Sequence, residues 1–194
     1  MTLRLNGSTS GYTEIDAPAV AGSNTLVLPT GNGSSGQVLS TNGSGALSWV
    51  DITGPRFRAY KSGSSTTSVT TSTFTKIILD TEDFDTASCF DSTTNYRFTP
   101  NKAGYYLIIG SVFTNWTGSQ YTNSTVGIYK NGSIYARNQH YVSGTDYGSL
   151  NVKDILYMNG TTDYAELYYI SNATGPTYDQ GSTNTFFSGS WLGV

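Results

Sequence analysis

The chain has 194 residues, of which only 12% are charged, and its formal net charge is −3. Surfaces that bind nucleic acid through their charge are strongly basic, so this composition excludes that class of partner. The single cysteine, Cys89, excludes an internal disulfide, and no apolar run is long enough to span a bilayer, so we expect no membrane insertion.

Residues 1–53 form a first region that is poor in aromatic side chains: its aromatic residues are Tyr12 and Trp49. Brief apolar stretches alternate with clusters of Gly, Ser, Asn and Pro, which predicts short strands between turns; they are Leu3-Arg4-Leu5, Thr25-Leu26-Val27-Leu28 and Gln37-Val38-Leu39. So few core residues do not stabilise an isolated monomer. We therefore expect this region to fold against copies of itself or against another protein.

Residues 54–194 hold the remaining aromatic residues and are predicted to form an all-β domain, because period-two runs recur between turn signals and no helical period is sustained. The predicted strands are 56–61, 74–79, 95–99, 104–114, 125–130, 133–141, 149–158, 163–170 and 184–193. Asn131-Gly132 and Asn159-Gly160 each predict a tight hairpin, because Asn-Gly tolerates positive φ. The unbroken apolar run 105–109 indicates a central strand covered on both faces.

If the strands from 104 onward run antiparallel, both Asn-Gly turns lie at one end and the loops 115–124, 142–148 and 171–183 lie at the other. These loops carry four aromatic residues among polar neighbours: Trp116, Tyr121, Tyr147 and Tyr178. Flat apolar faces with hydrogen-bonding edges suit sugar rings, so these four are the receptor-binding candidates. The alternative is that they pin long loops to the rim of the sandwich.

Four segments, in order and spacing, resemble the C1q/TNF-like jelly roll over residues 55–194. They are Phe57-Arg58-Ala59-Tyr60-Lys61-Ser62, Phe98-Thr99-Pro100 followed by Ala103-Gly104-Tyr105-Tyr106, Ile128-Tyr129-Lys130-Asn131-Gly132, and Thr185-Phe186-Phe187-Ser188-Gly189. The resemblance implies a ten-stranded sandwich that assembles as a homotrimer. The collagen stem usual beside animal C1q domains is absent, because there is no Gly-X-Y repeat.

Both faces of residues 163–170 are substantially apolar, although one sandwich has a single interior. This pattern makes Tyr157, Tyr164 and Tyr168 candidates for the trimer interface, where aromatic residues with a polar tip are enriched. The alternative is that tyrosine simply suits an exposed pleated surface.

The first region is similar to a pattern in structural proteins of tailed phages. The residues are Ala19-Val20-Ala21-Gly22-Ser23-Asn24-Thr25-Leu26, Gly36-Gln37-Val38-Leu39, Asn42-Gly43-Ser44-Gly45 and Leu47-Ser48-Trp49. That pattern commonly precedes the distal domains of fibres. The resemblance implies attachment to a virion or to a stalk through residues 1–53.

The sequence contains few candidates for catalytic or metal-binding residues. A serine triad needs a histidine, and His140 is expected on a surface or interface; one Cys and one His do not make a zinc site, and Cys89 is expected to be buried. The acidic group Asp80, Glu82, Asp83 and Asp85 is a weak candidate for calcium, but it lacks the order of an EF-hand, which favours a solvated loop. No pair of these carboxylates is singled out for glycosidase chemistry.

These features predict a non-enzymatic virion protein: a trimeric phage tail fibre or spike, held by other virion proteins and contacting a host surface glycan or protein with its distal domain. No cofactor is expected. One alternative is a capsid decoration, head-fibre or adaptor protein that stabilises the particle without binding a receptor. Further alternatives are an enzyme acting on surface polysaccharide and a secreted cytokine-like ligand.

Overall fold

The computed structural model describes residues 3–20, 22–116 and 121–194, which form strands, turns and loops. This confirms the predicted all-β class. The chain divides into two compact units, Met1–Ile52 and Thr53–Val194. Within the described ranges, no helix has the length and apolar character needed to cross a membrane.

The first unit consists of two short antiparallel hairpins. They are β1 (Leu3–Asn6) with β2 (Tyr12–Ile15), and β3 (Gln37–Thr41) with β4 (Leu47–Asp51). The indole N–H of Trp49 donates to the carbonyl of Gly31 at 2.9 Å. A Cβ on Gly33 would lie 2.6 Å from the same ring, so this glycine lets the loop wrap the tryptophan.

Large apolar side chains of the first unit stay exposed to solvent. Among them are Leu3, Leu5, Ile15, Val20, Leu26 and Leu28, each more than half exposed. The predicted strands at Leu3–Leu5 and Gln37–Leu39 are present, but residues 25–28 form only an isolated bridge between Val27 and Ala46, which corrects that prediction. These strands enclose little core of their own. Exposed apolar surface of this extent is typical of a segment that is completed by a partner.

The second unit contains two antiparallel sheets, which we call sheet I and sheet II. In order, sheet I comprises β6 (Thr66–Ser68), β16 (Thr177–Asp179), β11 (Gly104–Trp116), β17 (Phe186–Gly193), β5 (Arg56–Tyr60) and β8 (Thr81–Asp85), with β14 (Asp146–Met158) also paired to β11. Sheet II comprises β13 (Ser133–Ser143), β12 (Tyr121–Lys130), β15 (Ala165–Ser171), β10 (Arg97–Phe98) and β9 (Phe90–Asp91), with β7 (Thr75–Lys76) also paired to β15. Of these, β6, β9 and β16 were not predicted, because strands of two or three residues carry no clear period. β8 corrects the expectation of a solvated acidic loop, since Glu82, Asp83 and Asp85 lie on a strand paired to β5.

Aromatic rings from both sheets form the centre of the core. Phe57 of β5 stacks on Phe98 of β10 with ring centroids 4.3 Å apart, and Phe187 meets Phe57 edge-on at 5.4 Å. All three side chains are fully buried. The hydroxyl of buried Tyr106 donates to the Lys102 carbonyl at 2.7 Å, which satisfies its polar end.

Only one of the two predicted Asn-Gly hairpins is a hairpin. Asn131 and Gly132 have φ of 53° and 77° and join β12 directly to β13, as predicted. Asn159-Gly160 instead lies on a connection from sheet I to sheet II, which corrects the second prediction. There the Asn159 amide oxygen accepts bonds from the backbone N–H groups of the following residues, including Thr162 at 2.9 Å.

Strand pairing confirms the predicted arrangement of the two ends. Three pairings bring the distal strand ends together: Trp116 with Asp146, Tyr121 with Ser143, and Ser124 with Ser171. At the opposite end Tyr105 pairs with Gly193 near the C-terminus. Lys102 donates to the carbonyl of Thr53 at 2.8 Å, so the second unit also begins at this end.

Candidate functional site

Two of the four receptor-binding candidates lie inside the domain. The Trp116 side chain is 8% exposed, and its indole N–H donates to the Thr174 carbonyl at 2.9 Å. Tyr178 of β16 is 2% exposed, and burial raises the pKa of its hydroxyl. Neither ring is available to a ligand at the surface. The expectation that Trp116 and Tyr178 bind a receptor is therefore corrected. Trp116 at the end of β11 binds Thr174, and the Tyr178 side chain anchors the same segment in the core, so these two residues fit the alternative that they fix long loops to the sandwich.

The other two candidates differ from this pair. Tyr147 is 64% exposed, and its ring meets Phe113 edge-on with centroids 5.0 Å apart. Tyr121 begins β12 opposite Ser143, and its side chain lies outside the described residues, as do residues 117–120 of the same predicted loop. Of the predicted loop aromatics, Tyr147 is therefore the one shown to be accessible.

An apolar surface that the loop prediction missed covers the outward side of β11 and β14. Along β11 the even-numbered residues face the core, and the odd-numbered residues point outward. We call the outward residues of these strands the β11–β14 face; its apolar members are Tyr105, Leu107, Ile109, Phe113, Tyr147, Ile155 and Tyr157. Tyr105, Ile155 and Tyr157 are each about half exposed, at 50%, 50% and 48%. The sequence signal was the apolar run at both parities in 105–109 combined with the odd-numbered apolar residues of β14.

The three interface candidates are divided between the two sheets: Tyr157 lies on β14 of sheet I, Tyr168 on β15 of sheet II, and Tyr164 directly before β15. Tyr157 belongs to the β11–β14 face, where it pairs with Tyr105 across the strands. Tyr168 lies on the outward side of sheet II, stacked on Tyr129 at 4.0 Å, and Tyr164 lies under the guanidinium of Arg97 at 4.2 Å. The structure therefore does not gather the three tyrosines on one surface. Residue parity shows which side of a strand a residue takes, but it does not show which sheet the strand joins.

The acidic candidates each hold a separate structural contact. Asp80 pairs with Lys61, Asp83 pairs with Arg58, and Glu82 accepts a bond from the Ser92 hydroxyl at 2.6 Å. Asp85 accepts the backbone N–H of Phe90, also at 2.6 Å. Among the described residues, no three His, Cys, Asp or Glu side chains are grouped to hold a metal ion.

His140 and Cys89 occupy the environments expected from the sequence. His140 lies exposed on β13, the strand at the end of sheet II. Cys89 is a free thiol and is 6% exposed, and burial raises the pKa of that thiol. The structure does not bring them together as a nucleophile and base.

Comparison with solved structures identifies proteins whose fold is similar to that of this chain. The crystal structure of murine APRIL at pH 5.0 matches with a TM-score of 0.54 and 11% identity, covering 72% of this chain and 99% of that chain. Murine APRIL at pH 8.0 matches with a TM-score of 0.51 and 13% identity, covering 71% and 98%. The globular domain of zebrafish complement 1qA protein has a TM-score of 0.48 and 12% identity, covering 72% and 97%. Protein-family models and curated proteins give no match.

The two APRIL similarities, with TM-scores above 0.5, establish the fold. The chain contains a TNF/C1q-type jelly roll, as residues 55–194 predicted. At identities near one residue in ten, the likeness carries no ligand or partner over to this chain. The phage-fibre resemblance of residues 1–53 stays a prediction.

Proposed function

We propose that this chain is a non-enzymatic recognition and assembly protein that acts as a homotrimer in a phage tail fibre or spike. The observation that carries the proposal is the β11–β14 face. A cluster of exposed apolar residues that includes half-exposed aromatic rings is typical of a protein–protein interface. Closed rotational symmetry covers such a surface on every copy and leaves no free patch for open aggregation.

The pairing within the β11–β14 face supports burial against another copy. Tyr105 lies opposite Tyr157, and Leu107 lies opposite Ile155, so two neighbouring rows are apolar on both strands. Each half-exposed aromatic ring that becomes buried adds apolar contact area, at about 25 cal/mol per Å² removed from water. TNF/C1q-type domains are typically homotrimers, which is compatible with this arrangement.

A non-enzymatic role is supported by the ion pairs in which buried and partly buried carboxylates of the domain take part. Glu166 is 4% exposed and forms an ion pair with Lys76 at 2.6 Å, and Asp163 pairs with Lys130 at 3.0 Å. These carboxylates stabilise strands and turns rather than facing a shared cleft. TNF/C1q-like domains act as ligands or in assembly, which agrees with this reading.

The virion location rests on the first unit. Residues 1–53 carry the phage-type pattern, and the exposed leucines of this unit need a covering partner, which we propose is another virion protein. The second unit begins at the same end as the Asn131-Gly132 hairpin, since Lys102 holds Thr53 there. Its distal loops therefore point away from the start of the jelly roll.

The test uses the full chain in two measurements. Light scattering coupled to gel filtration should give three times the 20.8 kDa chain mass. The purified trimer should then compete with the parent phage for adsorption to host cells. A monomer contradicts the assembly part. A trimer that does not compete but raises the heat resistance of capsids contradicts the receptor-binding part and favours capsid decoration.

A further inference from the structure

A groove of about 310 Å³ lies on the outward side of sheet II, near the distal ends of its strands. The residues that matter for its chemistry are Phe74, Asn123, Arg137, Gln139, Ile170 and Asn172. It is formed where β12 runs between β13 and β15. Nothing in the sequence pattern had marked it, because its residues come from four separated segments.

Strand register places these side chains on one surface. Thr125 of β12 pairs with Gln139 on one side and with Ile170 on the other. One row further along, Gly127 pairs with Arg137 on β13 and with Tyr168 on β15. Residues opposite each other in antiparallel strands point to the same face of the sheet, so the polar and apolar members of the groove face solvent together.

Hydrogen bonds hold the amide groups of the groove in fixed orientations. The amide nitrogen of Gln139 donates to the Asn123 side-chain oxygen at 2.7 Å and to the Tyr141 hydroxyl at 2.8 Å. The side-chain oxygen of Asn172 accepts the backbone N–H of Asn123 at 2.6 Å. The Gln139 oxygen and the amide nitrogens of Asn123 and Asn172 have no hydrogen-bond partner among the described residues. Fixed donors and acceptors at this spacing suit the hydroxyl groups of a sugar.

Arg137 adds a positive charge that the groove does not neutralise. It is exposed and takes part in none of the ion pairs formed by the described residues, and no Asp or Glu lines the groove. Glu166, on the same side of sheet II, is already paired with Lys76. The guanidinium group matches a carboxylate in planar, two-bond geometry, so charge complementarity favours an anionic ligand.

We propose that this groove binds an acidic saccharide, with Arg137 on the sugar carboxylate and the amides of Asn123, Gln139 and Asn172 on its hydroxyls. Phe74 and Ile170 provide the apolar contact for the ring faces. The inference rests on the proposed function in taking the jelly roll as the recognition domain. It moves the recognition site from the aromatic residues of the distal loops to the outward side of sheet II beside them, where each copy of a trimer adds to the avidity.

The test measures binding of the full chain to three acidic saccharides: oligogalacturonate, oligoalginate and sialyllactose, each beside a neutral counterpart. At least one acidic saccharide should bind, with its neutral counterpart at least tenfold weaker. R137Q should weaken that binding at least tenfold. R56Q removes an exposed arginine of sheet I by the same change and should leave it unaltered. No binding of any acidic saccharide, or equal affinity of R137Q and wild type, overturns the inference.

The experiments distinguish failure of this inference from failure of the proposed function. A trimer that adsorbs to cells yet binds none of the saccharides overturns only this inference. A monomer that binds them overturns only the assembly.

Discussion

Tyr105 and Tyr157 lie directly opposite each other on β11 and β14, with ring centroids 5.5 Å apart and planes inclined at 70°. This edge-to-face contact is the geometry that aromatic pairs favour inside proteins. Each side chain is nevertheless about half exposed, at 50% and 48%. The two rings therefore contact each other while about half of each side chain stays exposed to solvent, which is compatible with a surface that binds another protein.

Replacing both tyrosines should break the assembly. The double variant Tyr105→Ser with Tyr157→Ser removes two rings from the β11–β14 face, and we expect at least a tenfold rise in the concentration at which the trimer dissociates. Light scattering over a dilution series measures this. Tyr141→Ser is the matched control, because Tyr141 is 55% exposed on sheet II. Equal dissociation of the double variant and wild type would place the interface elsewhere.

Truncating Trp116 should act on stability rather than directly on recognition. Trp116→Ala empties a buried site and removes a hydrogen bond to Thr174, so we expect a loss of about 3–5 kcal/mol in the free energy of unfolding. Tyr147→Ala, at the exposed site, should change that free energy by less than about 1 kcal/mol. Urea unfolding of both variants measures the difference. Comparable losses would contradict the burial of Trp116.

The hairpin at Asn131 combines two effects that substitutions separate. The Asn131 side chain donates to Asp163 at 2.8 Å and accepts the Tyr164 N–H at 2.9 Å, and its φ is 53°. Asn131→Gly keeps the freedom to adopt positive φ but loses the two side-chain hydrogen bonds. Asn131→Ala loses the two hydrogen bonds and also the freedom to adopt positive φ without strain. We expect Asn131→Ala to be less stable than Asn131→Gly by about 1 kcal/mol in urea unfolding. The reverse order would show that the left-handed backbone is not the controlling factor.

Much of the fold is readable from the sequence because its signals are local. Asn131-Gly132 needs only two residues to specify positive φ, and the run 105–109 specifies a strand by composition alone. The burial of Trp116 and Tyr178 is not readable in this way. Trp116 is held by a carbonyl some 58 positions along the chain, and β16 is three residues long. The groove at Arg137 escaped prediction for the same reason, because register between separate strands creates it.

Asp91 should make the domain sensitive to acid. Backbone N–H bonds from Thr94 at 2.9 Å and Thr93 at 3.0 Å hold the pKa of this carboxyl well below its usual range, with further bonds from Asn95. Because the folded-state pKa is lowered, the stabilisation is fully present above the unfolded-state pKa of about 3.9 and is lost as the pH falls through the folded-state pKa.

The variant Asp91→Asn isolates this effect. We expect it to be less stable than wild type at pH 7 and pH 5, with the gap closing below about pH 4, where the Asp91 carboxyl of the unfolded wild-type chain becomes protonated. Thermal unfolding at pH 7, 5 and 3 measures the gap. Asp154→Asn is the control, because Asp154 accepts only the N–H of its neighbour Ile155, at 2.7 Å. A gap that stays constant from pH 7 to pH 3 would exclude Asp91 as an acid-sensitive group.

Cys89 reports on the integrity of the core. Its thiol is 6% exposed, and burial raises its pKa, so little thiolate is present in the folded domain at neutral pH. We expect a thiol reagent such as dithiobis-nitrobenzoate to react at least a hundredfold more slowly with the native chain than with the chain in 8 M urea. Trp116→Ala should speed the native reaction if its loss of stability allows the domain to open. Rapid labelling of the native wild type would contradict the packing of the Cys89 side chain.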